Sequence, residues 1–282
     1  MSASRELTAL VLGAVTRDVE PGGTTAPGGV VHYAGLAFAA LGARTRVVTR
    51  ARPDDAVELL AKLRGAGVET RAWPSAETTT YANDYSGSED LHELLSASDP
   101  ITPDDLPEKW RRADAIHLGP LHRLDLVPET LAVLRGRVGI DLQGLARLSS
   151  PTGTRLAPNP ALKDFLVQVS VAKAAEEEIA VLLEGRTLED FRREFGVAEL
   201  LVTRGSRGAL LVTRAGVDEI AAVPARKRFP TGAGDVFLAA YLFARASGRD
   251  PRGSGVFAAR ASAAQIERGF VPGELALGVG GQ

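Results

Sequence analysis

The sequence predicts an α/β fold with a mainly parallel central sheet covered by helices on both faces, and three observations carry that expectation. Short apolar runs suited to strands alternate with stretches of helical periodicity over most of the chain. The first run, Leu7 to Gly13, is apolar almost throughout, as a central parallel strand buried on both faces must be. The 282 residues, 45% hydrophobic and 24% charged, suffice for one large domain or one domain with a small appendage.

Taken in order, Leu7 to Gly13 is the first strand, and Asp18 follows five residues past its end. In open α/β sheets that edge is where ligands bind, so Asp18 either accepts hydrogen bonds from a polyol or is a solvated loop aspartate. Pro21 to Pro27 is a turn-rich connection. Gly28 and Gly29 then open the run Val30 to Leu41, apolar nearly all round and closed by Gly42, a buried helix whose N-terminus faces the same edge as Asp18. Thr45 to Thr49 is a second buried strand, and Asp54 and Asp55 cap an amphipathic helix that runs through Leu63 and stops at Gly65 and Gly67. Thr78 to Tyr85, polar, β-branched and aromatic, suits a strand of a small side sheet or lid.

Asp114 to Gly119 and Val138 to Leu142 return to the buried-strand pattern, the second running into Gln143-Gly144-Leu145-Ala146-Arg147. Leu166 to Val171 leads into Lys173-Ala174-Ala175-Glu176-Glu177-Glu178, which reads as the acidic first turn of a helix ending near Leu183. Leu200 to Thr203 and Ala209 to Val212 flank Arg204-Gly205-Ser206-Arg207-Gly208 as two strands around a glycine-bearing turn. Ser254 to Arg268 is an Ala-rich helix ending at Gly269, and the Gly-rich tail from Leu277 is expected to fray. The expected organisation is a single domain over residues 1–282 with a small lid from about 18–28 and 76–96.

The chemistry concentrates in Phe229-Pro230-Thr231-Gly232-Ala233-Gly234-Asp235, followed by the apolar run Val236 to Ala244. Two glycines and an alanine leave little side-chain bulk, so backbone N–H groups can approach an anion, and the buried helix behind aims its first turn at it. Asp235, at the positive end of that helix, is expected to be ionised and able to take a proton from an attacking hydroxyl. The plainer alternative is a tight turn into a helix with an aspartate in its first turn.

Several function classes are excluded. With no cysteine there is no disulfide framework, thiolate zinc site or cysteine nucleophile, and a net charge of −2 with both signs interspersed offers no basic field for nucleic acid. No G-x-x-x-x-G-K-[ST], no G-x-G-x-x-G near the first strand and no G-x-S-x-G occurs. His32, His92, His117 and His122 lack metal-ligand spacing and are expected to be packing or surface residues. No run is long and apolar enough to cross a bilayer and no signal peptide is read at the start, so the expectation is a cytoplasmic protein, no membrane, and a small-molecule partner.

The Gly13 to Asp18 start, Gly28-Gly29 with its helix closed at Leu41-Gly42-Ala43, the Thr203 to Gly208 turn and above all Thr231-Gly232-Ala233-Gly234-Asp235 together resemble the PfkB/ribokinase family of small-molecule kinases. The resemblance covers nearly the whole chain. Ser98 to Pro107, Asp141 to Arg147 and Lys173 to Glu178 look most similar to inositol kinases and related sugar or nucleoside kinases. It implies a ribokinase-like three-layer fold with a small β lid, working as a monomer or homodimer, and an ATP- and Mg²⁺-dependent kinase acting on a hydroxyl of a cyclitol, sugar or nucleoside, an inositol-type acceptor foremost. Asp235 would be the base and Gly232, Ala233 and Gly234 the anion hole. Asp18, Gly28, Gly29, Tyr33, Gln143 and Arg147 would bind the acceptor, Arg147 either meeting a phosphate or carboxylate on it or forming a surface salt bridge. Thr203, Arg204, Gly205, Gly208 and Thr231 would bind ATP, which lies under the helix from Ser254, and Glu178 would anchor Mg²⁺ through water.

The sequence departs from the family pattern in places. Phe229 stands where many members carry an aspartate associated with a monovalent cation, Ala175 replaces the asparagine of N-x-x-E, and Tyr33 stands where sugar kinases often have a substrate-binding asparagine. The connection between Asp18 and Gly28 is short, which implies a reduced lid, an open site, or a lid completed by a second subunit. Two other readings stay open: a catalytically silent nucleotide- or metabolite-binding protein on the same fold, and a kinase using another phosphoryl donor such as ADP or GTP.

Overall fold

Strand β1 (Thr8–Gly13) is buried from Ala9 onward, with Ala9 and Val11 packing into the core on one face of the sheet and Leu10 and Leu12 into the core on the other. The computed structural model describes residues 6–84, 91–150 and 153–279. After β1 the chain forms a hairpin, β2 (Thr16–Val19) and β3 (Thr25–Gly28), then helix α1 (Val30–Ala40), strand β4 (Arg44–Ala51), helices α2 (Pro53–Leu59) and α3 (Ala61–Gly65), and strands β5 (Glu69–Pro74), β6 (Thr80–Asp84) and β7 (Leu91–Ser96). There follow β8 (Arg112–Gly119), α4 (Glu129–Ala132), β9 (Arg135–Asp141), α5 (Gln143–Ala146) and the hairpin β10 (Arg147–Ser150) with β11 (Gly153–Leu156). The last third runs α6 (Leu162–Leu166), β12 (Val171–Ala175), α7 (Glu176–Leu183), α8 (Leu188–Glu194), β13 (Glu199–Thr203), β14 (Ala209–Thr213), β15 (Gly216–Ile220), α9 (Ala233–Ala246) and α10 (Pro251–Arg268).

Nine strands form the main sheet in the order β15-β14-β13-β12-β9-β8-β1-β4-β5, parallel from β13 to β5 with an antiparallel edge of β14 and β15. A second sheet, β3-β2-β6-β7, stands off it. The chain steps outward from β1 through β4 to β5 and returns to lay β8 on the other flank of β1, so the order reverses beside β1. Such a reversal opens a crevice at the carboxyl ends of the strands. Here those ends are the register pair Gly13 and Gly119, and a Cβ on either would lie 2.2 Å from Val30. Glycine at both positions therefore lets the N-terminus of α1 settle directly over the crevice.

Most expected elements are present, with instructive differences. The helix expected through Leu63 breaks at Leu60 into α2 and α3, and Arg52 holds the N-cap with Pro53 next, while Asp54 and Asp55 sit in the first turn. Lys173 to Glu178 is not one helical turn: Lys173 to Ala175 complete β12, which pairs with both β9 and β13, and α7 starts only at Glu176. Sheet pairing overrides the helical preference of that alanine-rich stretch. Part of the expected Pro21 to Pro27 turn is strand β3, paired with β2. Strands β5, β10, β11 and β15 and helix α8 carry no distinct pattern in the sequence; they are short or at sheet edges. Tyr85, expected in the lid strand, lies outside the described residues, as do residues 280–282 of the tail; Gly273–Val279 form a 3₁₀ turn. Among the described residues no helix is long and apolar enough to cross a membrane.

Helix α9 is buried from Val236 to Ala244 and packs on β9 where Gly139 admits the Leu242 side chain. Its far end is fixed by a charged clasp. Tyr241 Oη donates to Glu199 Oε2 at 2.8 Å, and Arg245 donates to Glu199 Oε1 through Nε at 3.0 Å and Nη2 at 2.7 Å. Removing Glu199 leaves the arginine and the phenol unsatisfied, so Glu199→Ala should cost about 3–5 kcal/mol of unfolding free energy in urea titration; a loss under about 1 kcal/mol would show that the clasp is dispensable.

Candidate active site

The loop entering α9 is shaped by Gly232, the helix N-cap, which holds a left-handed conformation at φ 76°. A side chain there would also collide with the Tyr33 ring, 2.0 Å from its Cβ. Ala233 N–H is taken by Pro230 O at 3.2 Å and Val236 N–H by Gly232 O at 2.9 Å. The N–H groups between them, of Gly234 and Asp235, are left in the first turn for a ligand.

Two cavities meet at this turn. One, of about 230 Å³, lies at the crevice beside β1 and is lined by Thr16, Asp18, Tyr81, Gln143, Arg147 and the Pro230 to Asp235 loop, with Gly29, Tyr33 and Leu121 completing it. The other, of about 310 Å³, is bounded by Thr203, Gly205 and Gly208 of the β13–β14 turn, by Ala222 and Val223, and by Ala259, Ser262 and Ala263 of α10. Ala233 and Gly234 line both.

Charge is concentrated beneath the shared turn. Lys173 Nζ donates to Asp141 Oδ2 at 2.9 Å, both side chains almost wholly buried. A Cβ on Gly234 would sit 2.8 Å from that ammonium, so the cradle rests on it. Burial disfavours the ammonium, but Asp141, Glu178 and Asp235 outweigh that and hold it above the usual lysine range. Asp235 differs from the expectation of a carboxylate kept ionised by the helix dipole. Burial and then the Asp141 charge raise its pKa to about 7, against the opposing pull of Lys173 and Arg147.

The remaining expected residues fall as follows. Asp18 accepts from Thr16 Oγ1 at 2.6 Å, and burial raises its pKa. Gly28 does not line the cavity; it gives room to Asp18, whose Oδ2 would be 2.1 Å from a Cβ there. Gly29, at φ 82°, lies where a Cβ would strike Ala14 O. With its carboxamide oxygen toward Arg147, Gln143 accepts from Nη2 at 2.5 Å and Nη1 at 2.8 Å, so Arg147 is held at the cavity wall. Thr203, Gly205 and Gly208 line the second cavity, but Arg204 reaches across to Glu219 at 3.4 Å and Thr231 faces the first cavity instead. Glu178 is buried, with Oε2 accepting from Ala175 N–H at 2.7 Å; burial raises its pKa against the pull of Lys173. Among the described residues no group of three metal-ligating side chains converges. Phe229 packs its ring against Gly269. Of the histidines, His32, His117 and His122 are buried, the last 2.7 Å from Asp125; the His92 side chain lies outside the described residues.

Asp141 and Lys173 are the residues of this site that sequence reasoning missed. The signal was present: a lysine inside a strand otherwise made of valine and alanine can be buried only against a carboxylate. Tyr81, whose Oη donates to Leu121 O at 3.1 Å, was foreseen only as part of the lid strand.

A family model for pfkB family carbohydrate kinases matches residues 6–270. An inositol 3-kinase of Zea mays is 34% identical over 154 residues, which cover 52% of this chain and only 38% of the maize protein. Among solved structures, a pyrophosphate-dependent kinase in the ribokinase family, complexed with a pyrophosphate analog and myo-inositol, superposes with a TM-score of 0.84 at 24% identity, over 96% of this chain and 100% of that one. Arabidopsis thaliana ribokinase complexed with ribose and ATP superposes with a TM-score of 0.75 at 20% identity, over 98% and 99% of the two chains.

The charge arrangement makes a prediction that needs no substrate. In carboxyl NMR titrations Asp235 should titrate near pH 7; Asp141→Asn, which removes a like charge, should lower that midpoint, and Lys173→Met should raise it. Shifts in the opposite directions would refute the assignment of these causes.

Proposed function

Since the chain belongs to the pfkB family of carbohydrate kinases, we propose that it moves a phosphoryl group from a nucleoside triphosphate to a hydroxyl of a monocyclic polyol, an inositol-type cyclitol foremost. Membership makes it a small-molecule kinase, a phosphotransferase with an alcohol group as acceptor. One observation carries the finer reading: two cavities of different character share Ala233 and Gly234, and Asp235 stands on the side of the smaller.

The acceptor takes the 230 Å³ cavity, where Asp18 accepts from ring hydroxyls and the Gln143 amide N–H and Arg147 donate to them. That volume lies below the roughly 300–1,000 Å³ of sites for drug-sized ligands, which favours one polyol ring over a nucleoside. The similarity to the maize inositol 3-kinase supports the same choice. The donor takes the other cavity, whose Ala222, Val223, Phe237, Ala259, Ala263 and Ile266 lining suits the flat apolar faces of a purine. Asp235 removes the acceptor proton, the freed oxygen attacks the terminal phosphorus, and the bond from that phosphorus to the leaving oxygen breaks. The Gly234 and Asp235 N–H groups and the Lys173 ammonium meet the charge spread over the transferring group. Glu178 is the residue that would hold a Mg²⁺ ion through water, and that ion would supply further charge neutralisation to the donor phosphates. A base with a pKa near 7 is poised for work at neutral pH. The β3-β2-β6-β7 sheet forms the lid of a single-domain enzyme.

A second donor, pyrophosphate, is favoured by a different observation. Arg226 and Lys227 are exposed shortly before the cradle, a cationic pair suited to a bare polyphosphate, and the pyrophosphate-dependent kinase superposes over nearly the whole chain. Initial rates with Mg²⁺ and ATP, GTP, ADP or pyrophosphate, against a panel of cyclitols, sugars and nucleosides, separate these readings. The expected result is ATP-dependent phosphorylation of a cyclitol that falls about 10²–10⁴-fold in Asp235→Asn with little change in ATP affinity. Turnover with pyrophosphate alone would move the donor assignment, undiminished turnover in Asp235→Asn would remove the base, and ATP binding without turnover on any acceptor would indicate the silent binding protein. Because the Phe229 ring packs on Gly269 at the position where the family resemblance implies an aspartate, rates in potassium and in tetramethylammonium buffers should agree within about two-fold.

A further inference from the structure

Behind the cradle lies a third cavity, of about 700 Å³, larger than either reaction cavity and not used by the mechanism. Leu36 and Ala40 of α1 form one wall and Phe229 and Phe270 the other, while Lys62 and Arg228 stand at its mouth. Phe229 and Phe270, far apart in the chain, are 51% and 57% exposed and line the same cavity. A folded chain rarely exposes such a pair without a use for it. Inside, His32 is 6% exposed and its Nδ1 has no partner. Burial, with the Lys62 charge adding to it, lowers the His32 pKa to about 4, so the imidazole is neutral at physiological pH. Neither Lys62 nor Arg228 has an ion pair among the described residues, although Glu20 also reaches the rim.

We propose that this cavity binds a small organic anion with an apolar ring or chain as its body, and that its occupancy is felt at the cradle. The body would lie between Leu36 and the two phenylalanines and the anionic group would meet Lys62 and Arg228. Coupling to the cradle is structural. Phe229, Pro230 and Thr231 form part of the cavity wall and lead directly into Gly232, and the Tyr33 ring, which lies on Gly232, lines this cavity and the acceptor cavity alike. Gln265 Nε2 also donates to Thr231 O at 3.3 Å from the same side. An occupant therefore touches the loop whose conformation sets the anion hole.

The probe for the test is 8-anilinonaphthalene-1-sulfonate, an apolar aromatic body with one anionic group, titrated by fluorescence into the full chain. One saturable site per chain is expected, retained in saturating ATP and polyol, which shift its affinity only by the few-fold factor of the coupling and do not abolish it. Affinity should fall at least ten-fold in Ala40→Trp, which fills the cavity, and in the Lys62→Ala/Arg228→Ala double variant, which removes the charge; circular dichroism of both variants establishes that they fold. Unchanged affinity in both variants, many weak sites, or displacement by the polyol would overturn the site. Bound probe should also change the acceptor KM or kcat at least two-fold in the parent protein and not in Ala40→Trp; no change would overturn the coupling. The binding arm reads no turnover, so it stands or falls apart from the kinase reading.

Discussion

The ion pair between Lys173 and Asp141 is the interaction on which the centre of this molecule depends. Two further carboxylates, Asp235 and Glu178, crowd the same buried space, and neither would be tolerated there without a cation. Lys173 also supports the turn itself, since Gly234 has room for a hydrogen and nothing larger above its ammonium. One side chain thus supports the turn, compensates the carboxylates and presents positive charge to the 310 Å³ cavity. Burial, and after it the Asp141 charge, still leave Asp235 harder to ionise than an ordinary aspartate, against the pull of Lys173.

The fold explains why these groups meet. Asp141 ends β9 and Lys173 stands near the end of the adjacent β12, so parallel pairing in register brings them side by side at the carboxyl edge of the sheet. Helix α9 runs back across that edge and ends on the Glu199 clasp, which fixes where its first turn lies. Glycines at the ends of β1 and β8 let α1 come down beside it, and α1 carries Tyr33 onto Gly232. The acceptor cavity is what remains between these helices and the smaller sheet. The position beside the strand-order reversal is the one the architecture offers to ligands generally.

Much of this was legible in the residues. The two-sided burial of β1, the buried character of α1 and α9, and the small-residue turn before Asp235 follow from local pattern, because each reflects a constraint acting within a few residues. Asp18, Gly29, Tyr33, Gln143 and Arg147 were expected at one site and do line one cavity. What local pattern could not supply was pairing across the sheet. Lys173 read as part of a helix because alanine and glutamate around it prefer helix, and only its neighbours in β9 and β13 make it strand. Nor could local pattern place Arg204 against Glu219, or Thr231 in the wall of the smaller cavity. Burial, and after it the Asp141 charge from a distant part of the chain, act on Asp235 against the local helix dipole, and neither is written in the residues around it.

The central claim is that acceptor and donor occupy the two cavities that meet at Ala233 and Gly234. A crystal structure of the protein with myo-inositol, Mg²⁺ and a non-hydrolysable ATP analogue tests it most directly. The account predicts a ring hydroxyl within about 2.6–3.2 Å of an Asp235 carboxylate oxygen, with the terminal phosphate over the Gly234 and Asp235 N–H groups and the purine between Val223 and α10. A polyol seated away from Asp235, or a nucleotide lying outside the β13–β14 turn, would contradict it.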